Sequence, residues 1–264
     1  MTIALSFSDT IALLHLGDDE NRFSPEFLDQ FEAHLDDAIS LGAHALVTVA
    51  TGKFYSNGLD LDWLAAHGDQ TGWYVGRVQA LLARMLTLPM PTAAAIGGHS
   101  FGAAAMLALA HDFRVMRIDR GYFCFPEVDI RIPFTPGMAA LIQAKLTPQA
   151  AVSAMTTGRR FGGAEAEAIG IVDATAKEDA VIGTALNMLA PLGPKDPGTI
   201  GAIKHHVRAG GGRAEGGLLG SAHVRSNQAS TFTFAAADSG MGSYRAKVLV
   251  NEPAPCDNER RSIA

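Results

Sequence analysis

The sequence predicts an α/β protein, and three features of its pattern carry this prediction. Short apolar segments typical of strands alternate with helical patterns over the first two thirds of the chain. Residues 92–110 place a strand of small residues, a glycine turn and a strongly apolar helix in direct succession. After Pro136 the pattern becomes mostly helical. Alternating β/α units followed by a helical third are typical of a layered α/β domain with a helical appendage.

The N-terminal segments predict a strand pair followed by an amphipathic helix. Residues 2–6 and 11–15 alternate or run apolar, as strands do. Ser24 is typical of a helix N-cap, and Pro25 fits the first helical position. Large apolar residues then recur about every four positions, which predicts a helix that ends at Ser40.

A buried strand, a loop and a helical region follow. Residues 45–50 are apolar and predict a buried strand, whereas the glycine and asparagine within residues 51–58 predict a loop. Residues 61–86 have a helical pattern, with a break predicted near residues 68–72 because two glycines lie there. Pro89 ends this region, since proline cannot continue a helix.

The central segment joins a strand to a buried helix through a turn. Residues 92–96 are small and apolar and predict the strand, and the glycines of residues 97–102 predict the turn. Residues 103–110 are all Ala, Leu or Met, so this helix is too apolar to face water and is expected to be buried. Its first turn has no large side chain. A ligand can therefore approach the free backbone N–H groups, which favour a developing negative charge.

Further short strands and several helices complete the predicted order. Residues 114–116 and 122–125 predict strands, and Thr147 predicts the N-cap of a later helix. Glycines at 162–163 precede another helix, and residues 170–173 predict a short closing strand.

The chain length of 264 residues suits one large domain with a helical appendage. Residues 193–197 contain glycine and proline and predict a linker. We therefore predict a core over residues 1–195 and a C-terminal helical region over residues 196–264. Glycines at 210–212 and 216–217 interrupt the helical pattern of this second region.

Composition and charge argue against several classes of partner and location. Hydrophobic residues make up 48% of the chain and charged residues 18%, as in an ordinary globular protein. The net charge of −6 and the lack of a Lys/Arg run argue against nucleic acid as the main partner. We read no signal peptide and no membrane helix. Two cysteines without a disulfide pattern fit a reducing compartment, and the last three residues are not a peroxisomal address, so we expect a cytoplasmic protein.

One short motif in the central turn suggests a different chemistry. Residues 98–102 read Gly-x-Ser-x-Gly between a strand and a helix, as in the nucleophile elbow of serine hydrolases, with Ser100 as nucleophile. The acid would be Asp173, and the base would be one of the histidines that follow it: His205, His206 or His223. The alternative is that Ser100 only lines the turn. The same turn lacks the residues of a P-loop and the spacing of a dinucleotide fingerprint, which excludes both.

Several motifs occur together in the order and spacing of one family. They are FYSNGLD at 54–60, the glycine turn with its Ala-rich helix, HDFRV at 111–115, PEV at 126–128, and TGRRF at 157–161 with AIGIVD at 168–173. Over residues 2–173 the chain resembles the crotonase (enoyl-CoA hydratase/isomerase) superfamily, and it is most similar to the Δ3,Δ2-enoyl-CoA isomerase branch. The resemblance implies a crotonase-like superhelix of stacked ββα turns. It also implies a C-terminal helical oligomerisation region that assembles homotrimers or dimers of trimers.

The resemblance also implies an active site for an acyl-CoA thioester. Carried over position by position, the two donors to the thioester oxygen are the N–H of Leu59, which follows Asn57-Gly58, and the N–H of Ala103. Donors of this kind lower the barrier to a thioester enolate by about 3 kcal/mol each, and the helix dipole adds to the effect. Neither donor requires a particular side chain. Taken alone, Asn57-Gly58 would indicate an ordinary turn.

Glu127 matches the acid/base position of the family. A single carboxylate can take a proton from C2 of the acyl chain and return one at C4. The apolar residues around Glu127 predict a partly buried carboxyl group with a raised pKa. The alternative is a surface or helix-capping glutamate.

Met106 marks a departure from the hydratases of this family, which carry a second glutamate at that position. A thioether cannot activate water, so double-bond isomerisation by Glu127 alone is the expected activity. A hydratase or another enolate-forming enzyme stays open if a helper acid replaces the glutamate; the candidates are Asp60, Asp62 and Asp129. A non-catalytic acyl-CoA-binding scaffold is a third alternative.

The remaining assignments concern binding. The predicted substrate-binding residues are Asn57, Gly58, Asp60, Leu61, Gly102 and Met106. No metal or redox cofactor is implied, and coenzyme A enters only as part of the substrate. His99 and His111 lack metal-ligand spacing and indicate structural roles. Three basic residues are candidates for contact with the CoA phosphates: Lys53, Lys204 and Arg159. The alternative, which we take as the default, is that they are solvated surface charges.

Overall fold

The structure, a computed structural model, describes residues 3–209. Within this range the strands are β1 (Ala4–Ser8), β2 (Ile11–His15), β3 (Ala45–Val49), β4 (Phe54–Ser56), β5 (Thr92–Ile96), β6 (His99–Phe101), β7 (Phe113–Arg117), β8 (Phe123–Cys124) and β9 (Ala174–Ala176). The helices are α1 (Pro25–Ser40), α2 (Leu61–Ala66), α3 (Thr71–Thr87), α4 (Ala103–Ala110), α5 (Glu127–Ile130), α6 (Pro136–Lys145), α7 (Pro148–Thr157), α8 (Gly163–Ala168), α9 (Val181–Leu189) and α10 (Pro197–Ala209). The glycine interruptions predicted after residue 209 lie outside the described residues.

Two sheets organise the described chain. The larger has the strand order β1-β2-β3-β5-β7-β9, and the smaller has the order β4-β6-β8. Only the β1–β2 pair is antiparallel, with Ala4 opposite His15; all other strand pairs are parallel. Successive strands of the middle chain therefore alternate between the two sheets. Each alternation is followed by one or two helices, so β3-β4-α2-α3, β5-β6-α4 and β7-β8-α5 are consecutive ββα units, as predicted.

The large sheet is covered on both faces, as parallel sheets require. Alternate residues of β3 face opposite sides: Val47 and Val49 pack with α9, whereas Leu46 belongs to the cluster that includes α1, α3 and α4. All eight residues of α4 are buried, which confirms the prediction made from its composition. None of the helices within residues 3–209 has both the length and the apolarity needed to cross a membrane.

The predicted helix boundaries near the N-terminus are confirmed. The side chain of Ser24 caps α1 by accepting a hydrogen bond from Phe27 N–H at 3.1 Å, and Pro25 is the first helical residue. The predicted break in the helical region after residue 61 lies between α2 and α3, where residues 68–70 form a single 3₁₀ turn.

Three local predictions are wrong, and all of them concern short strands. The predicted loop at 51–58 contains β4, and the predicted turn at 97–102 contains β6. Each is three residues long and pairs with strands distant in sequence, so its own residues give little signal. Residues 170–173 are not a strand; the closing strand is β9, which begins at Ala174. Asp173 instead anchors β7, the neighbour of β9 in the large sheet, since its carboxylate accepts from Arg114 N–H at 2.8 Å.

Candidate active site

Two loops from successive ββα units meet at the edge of the small sheet. Gly58, in the loop after β4, has φ +79°, and a Cβ placed on it would lie 2.5 Å from Phe101 O and 3.0 Å from Ala103 N. Any side chain at position 58 would collide with the backbone that enters α4. Glycine at this position therefore permits the close approach of the two loops.

Within residues 3–209, the backbone N–H of Leu59 is free at this junction. Its neighbours in the chain are hydrogen-bonded: Gly58 N–H donates to Ser56 Oγ at 3.1 Å, and Asp60 N–H donates to Tyr74 Oη at 2.9 Å. Among the described residues, Leu59 N–H has no acceptor. It is thus an unpaired donor between two satisfied ones.

The backbone N–H of Ala103 is free for a different reason. Ala103 is the first residue of α4, so no residue of the helix can accept from it. Gly102 N–H, by contrast, donates to Cys124 O at 3.0 Å, and Met106 N–H donates to Gly102 O at 3.1 Å. The residues that the structure describes offer Ala103 N–H no acceptor.

Gly102 brings the carboxyl group of Glu127 to the same place. Gly102 has φ +54° and ψ −121°, a backbone conformation that favours glycine. A Cβ on Gly102 would lie 3.4 Å from Glu127 Oε1, so the absence of a side chain leaves open space beside the carboxyl group.

Glu127 begins the single-turn helix α5, just after the buried Phe125. The turn is fixed by hydrogen bonds from Ile132 N–H to Glu127 O and from Asp129 N–H to Pro126 O. Glu127 Oε2 is buried and has no hydrogen-bond partner within residues 3–209. Burial raises the pKa of Glu127 to about 7, although a hydrogen bond with its own backbone opposes the shift.

A cavity of about 310 Å³ joins these groups. Six predicted site residues line it: Asn57, Leu59, Leu61, Gly102, Ala103 and Glu127. Apolar side chains form much of its wall: Phe101, Pro126, Ile130 and Ile132. The cavity therefore combines an apolar wall with two backbone N–H groups that lack a described acceptor and with the carboxyl group of Glu127, which is typical of a ligand site.

The other three predicted substrate-binding residues do not line the cavity. Gly58 lies behind it and holds the two loops together. The Asp60 carboxylate caps α2 by accepting from Trp63 N–H at 3.1 Å. Met106 is 2% exposed and belongs to the core under α4.

Arg22 and Asp62 form a polar end of the cavity. Arg22 Nη1 donates to Asp62 Oδ2 at 2.5 Å, and Arg22 Nε donates to Glu20 Oε2. These hydrogen bonds, first with Asp62 and then with Glu20, raise the pKa of Arg22. Arg22 is not among the site residues predicted from the sequence, because a single arginine before a helix N-cap carries no motif.

Within residues 3–209 the serine-hydrolase arrangement is not assembled; the candidate base His223 lies outside the described residues. Ser100 is fully buried in β6, and its Oγ has no hydrogen-bond partner among the described residues. Asp173 is engaged by Arg114 through an ion pair of 2.9 Å. A nucleophile elbow instead exposes its serine and pairs it with a histidine.

His111 and Lys204 have structural partners. His111 is buried between Thr48 Oγ1 and Leu107 O, and burial lowers its pKa to about 3. Lys204 Nζ donates to Met90 O at 2.6 Å. Within residues 3–209, no group of three or more His, Cys, Asp or Glu residues is arranged to hold a metal ion.

Comparison with known proteins identifies the family. The profile described as Enoyl-CoA hydratase/isomerase matches residues 6–248 of the chain. The chain belongs to the enoyl-CoA hydratase/isomerase family. It is 36% identical to enoyl-CoA delta isomerase 2, peroxisomal, of Arabidopsis thaliana over 198 residues, which cover 71% of this chain and 82% of that protein. It is 38% identical to enoyl-CoA delta isomerase 3 of the same plant over 179 residues, or 65% of this chain and 75% of that protein.

A solved structure confirms the fold expected of an enzyme of this family. An enoyl-CoA hydratase/isomerase family protein from Pseudomonas syringae superposes with a TM-score of 0.75 at 25% identity, covering 79% of this chain and 91% of that one. The predicted crotonase fold is therefore confirmed. The predicted resemblance to the isomerase branch is confirmed as well, because both Arabidopsis relatives are named delta isomerases.

Proposed function

We propose that this enzyme is an enoyl-CoA isomerase that moves the double bond of a 3-enoyl-CoA to give the 2-enoyl-CoA. One observation carries the proposal: Leu59 and Ala103, whose N–H groups have no acceptor within residues 3–209, line a single, largely apolar cavity together with Glu127. The names of the two Arabidopsis relatives support the same activity.

The two backbone amides would stabilise the reaction intermediate. Removal of a proton from C2 of the acyl chain places negative charge on the thioester oxygen. Two N–H groups that have no acceptor in the described part of the chain can both donate to that oxygen, and Ala103 adds the partial positive charge of the α4 N-terminus. Each such donor typically contributes about 3 kcal/mol to the stability of the transition state.

Glu127 would move the proton. A carboxyl group that accepts a proton at C2 and gives one back at C4 must exchange its proton easily in both directions. With its pKa raised by burial to about 7, Glu127 is a stronger base than an ordinary glutamate and still a competent acid. Because Glu127 Oε2 has no hydrogen-bond partner within residues 3–209, its protonation breaks no hydrogen bond there.

The other carboxyl group of the cavity wall argues against hydration as the main activity. Asp62 is held by Arg22, which keeps its charge engaged at the polar end of the cavity. Met106, where hydratases of the family carry a second glutamate, is a core residue. The second carboxylate that hydratases of the family use to activate water is therefore missing at position 106.

Further parts of the proposal follow from the family resemblance. The substrate would be an acyl-CoA ester, and no metal or redox cofactor would take part. The protein would assemble as a homotrimer or a dimer of trimers, act in fatty-acid oxidation, and bind neither nucleic acid nor membrane. The net charge of −6 argues against nucleic acid as a partner, and the cysteine usage supports a cytoplasmic enzyme.

A panel of 3-enoyl-CoA and 2-enoyl-CoA esters of different length tests the proposal. The wild type is expected to convert 3-enoyl esters and to hydrate 2-enoyl esters poorly. Glu127→Gln should abolish isomerisation and keep its affinity for a saturated acyl-CoA, whereas the exposed control Glu26→Gln should retain both. Isomerase turnover that survives Glu127→Gln would refute the assignment of the base, and efficient hydration would favour the hydratase.

A further inference from the structure

We infer that the hydroxyl group of Tyr74 is a positioning group that aims the N–H of Leu59 at the substrate carbonyl oxygen, an inference that rests on the proposed function. Tyr74 lies on α3, is fully buried and does not line the cavity. It therefore acts through the backbone of the loop after β4 and not through contact with the substrate.

The peptide unit between Gly58 and Leu59 sets the direction of the Leu59 N–H. Gly58 C=O and Leu59 N–H belong to the same planar, trans peptide group, so their bonds point in opposite directions. Phe23 N–H donates to Gly58 O at 2.8 Å. Fixing the oxygen on Phe23 turns the N–H of Leu59 to the other side of the loop, where Leu59 lines the cavity.

Tyr74 closes this arrangement into a ring of hydrogen bonds. Its hydroxyl donates to Phe23 O at 2.7 Å and accepts from Asp60 N–H at 2.9 Å. Phe23 is thus bonded through both of its backbone groups, and the peptides on both sides of Leu59 are tied to it. Burial raises the pKa of Tyr74 to about 12, so the hydroxyl keeps the proton that it donates to Phe23.

Tyr74→Phe removes only the hydroxyl oxygen that links Phe23 O to Asp60 N–H. Phe23 O and Asp60 N–H would lose this partner inside the protein, and the loop would gain freedom around Leu59. Loss of one oxyanion donor typically costs about 10²–10³ in kcat. A donor that is present but poorly aimed should cost less, and we expect a fall in kcat of about tenfold. KM should change by less than about twofold, because the ground-state carbonyl carries little charge.

Tyr55→Phe is a matched control. Tyr55 is also fully buried, and its hydroxyl has a hydrogen bond of 2.7 Å with Thr48 Oγ1. Both variants therefore delete one hydrogen-bonded phenol oxygen from the interior. Tyr74→Phe should destabilise the protein more, because it removes two hydrogen bonds where Tyr55→Phe removes one. Of the two phenol oxygens, only that of Tyr74 is bonded to the backbone of the loop after β4, so Tyr55→Phe should keep kcat within about twofold of the wild type.

The experiment combines steady-state kinetics of the wild type, Tyr74→Phe and Tyr55→Phe with infrared difference spectra of a bound saturated acyl-CoA labelled with ¹³C at the thioester carbonyl. In the wild type the carbonyl stretch should shift to lower frequency on binding, and the shift should be smaller in Tyr74→Phe only. Equal effects of both variants on kcat, or an unchanged carbonyl shift in Tyr74→Phe, would overturn the inference. A wild type without isomerase turnover would remove the proposed function itself, whereas normal turnover with an unaffected Tyr74→Phe would remove only the role of Tyr74.

Discussion

Replacement of Glu127 should stabilise the protein at alkaline pH while it destroys activity. The pKa of Glu127 is about 7 in the folded protein and about 4.5 for an ordinary glutamate. Because the pKa is raised in the folded state, Glu127 contributes to stability. This contribution is fully present below pH ~4.5 and is lost as the pH rises through 7. At high pH the folded state must carry a buried carboxylate that has lost its water.

The size of this effect follows from the shift. A difference of 7 − 4.5 = 2.5 pKa units corresponds to about 3 kcal/mol against folding at high pH. Between pH 5.0 and 8.5 the penalty should grow by about 2.5 kcal/mol, and solvent entering the cavity reduces that figure. Glu127→Gln has no such titration. Its free energy of unfolding relative to the wild type should therefore rise by roughly 1–2.5 kcal/mol over this interval.

Urea unfolding at pH 5.0 and pH 8.5 measures the difference directly. Glu127→Gln should gain up to roughly 1 M in midpoint over the wild type at pH 8.5, and clearly less at pH 5.0. Glu26→Gln removes an exposed carboxylate and controls for the change in net charge. A stability difference between Glu127→Gln and the wild type that is the same at both pH values would refute the claim that Glu127 is held in a desolvating site.

Three further predictions concern residues around the site. Gly58→Ala places a Cβ 2.5 Å from Phe101 O, so it should lower the thermal stability and reduce kcat by more than about tenfold. A variant with wild-type kcat would contradict the close contact of the two loops. Ser100→Ala removes a buried hydroxyl without a partner among the described residues, so isomerase activity should persist and no fluorophosphonate labelling should occur in either protein; labelling of the wild type that disappears in Ser100→Ala would favour the hydrolase. His111 has a pKa of about 3 and stays neutral in the folded protein, whereas the histidine of the unfolded chain titrates at ~6.5. The stability advantage of the wild type over His111→Gln should therefore shrink by about 1.4 kcal/mol per pH unit as the pH falls from 6 to 4. An advantage that does not depend on pH in urea unfolding would contradict this.

The parts of the fold that the sequence predicted well are those with strong local patterns. Ser24 and Pro25 define the start of α1, and α4 is so apolar that burial is its only stable outcome. β4 and β6 escaped prediction because their three residues are strand-forming only when paired with each other across about 45 residues of chain. A glycine-rich segment looks like a loop until its long-range partner is known.

The residues of the candidate site also divide into those that a sequence motif indicates and those that only tertiary contacts reveal. Glu127 and the glycines are visible in the sequence because motifs of the family surround them. Arg22 and Tyr74 have no such motif and reach the site through tertiary contacts, one by lining the cavity and the other by a hydrogen bond to Asp60 N–H. Sequence spacing alone cannot indicate that α3 supports a loop fourteen residues earlier.

The use of backbone donors also explains where side chains can and cannot vary. Leu59 and Ala103 would contribute N–H groups, which any residue except proline supplies, so their side chains are constrained only by the cavity and the core. The stronger constraints fall on residues that set backbone direction: Gly58, whose Cβ would strike the opposite loop, and Tyr74, whose hydroxyl ties Asp60 to Phe23. If the amides are the catalytic donors, substitutions at these supporting positions should impair turnover more than substitutions at the donors themselves.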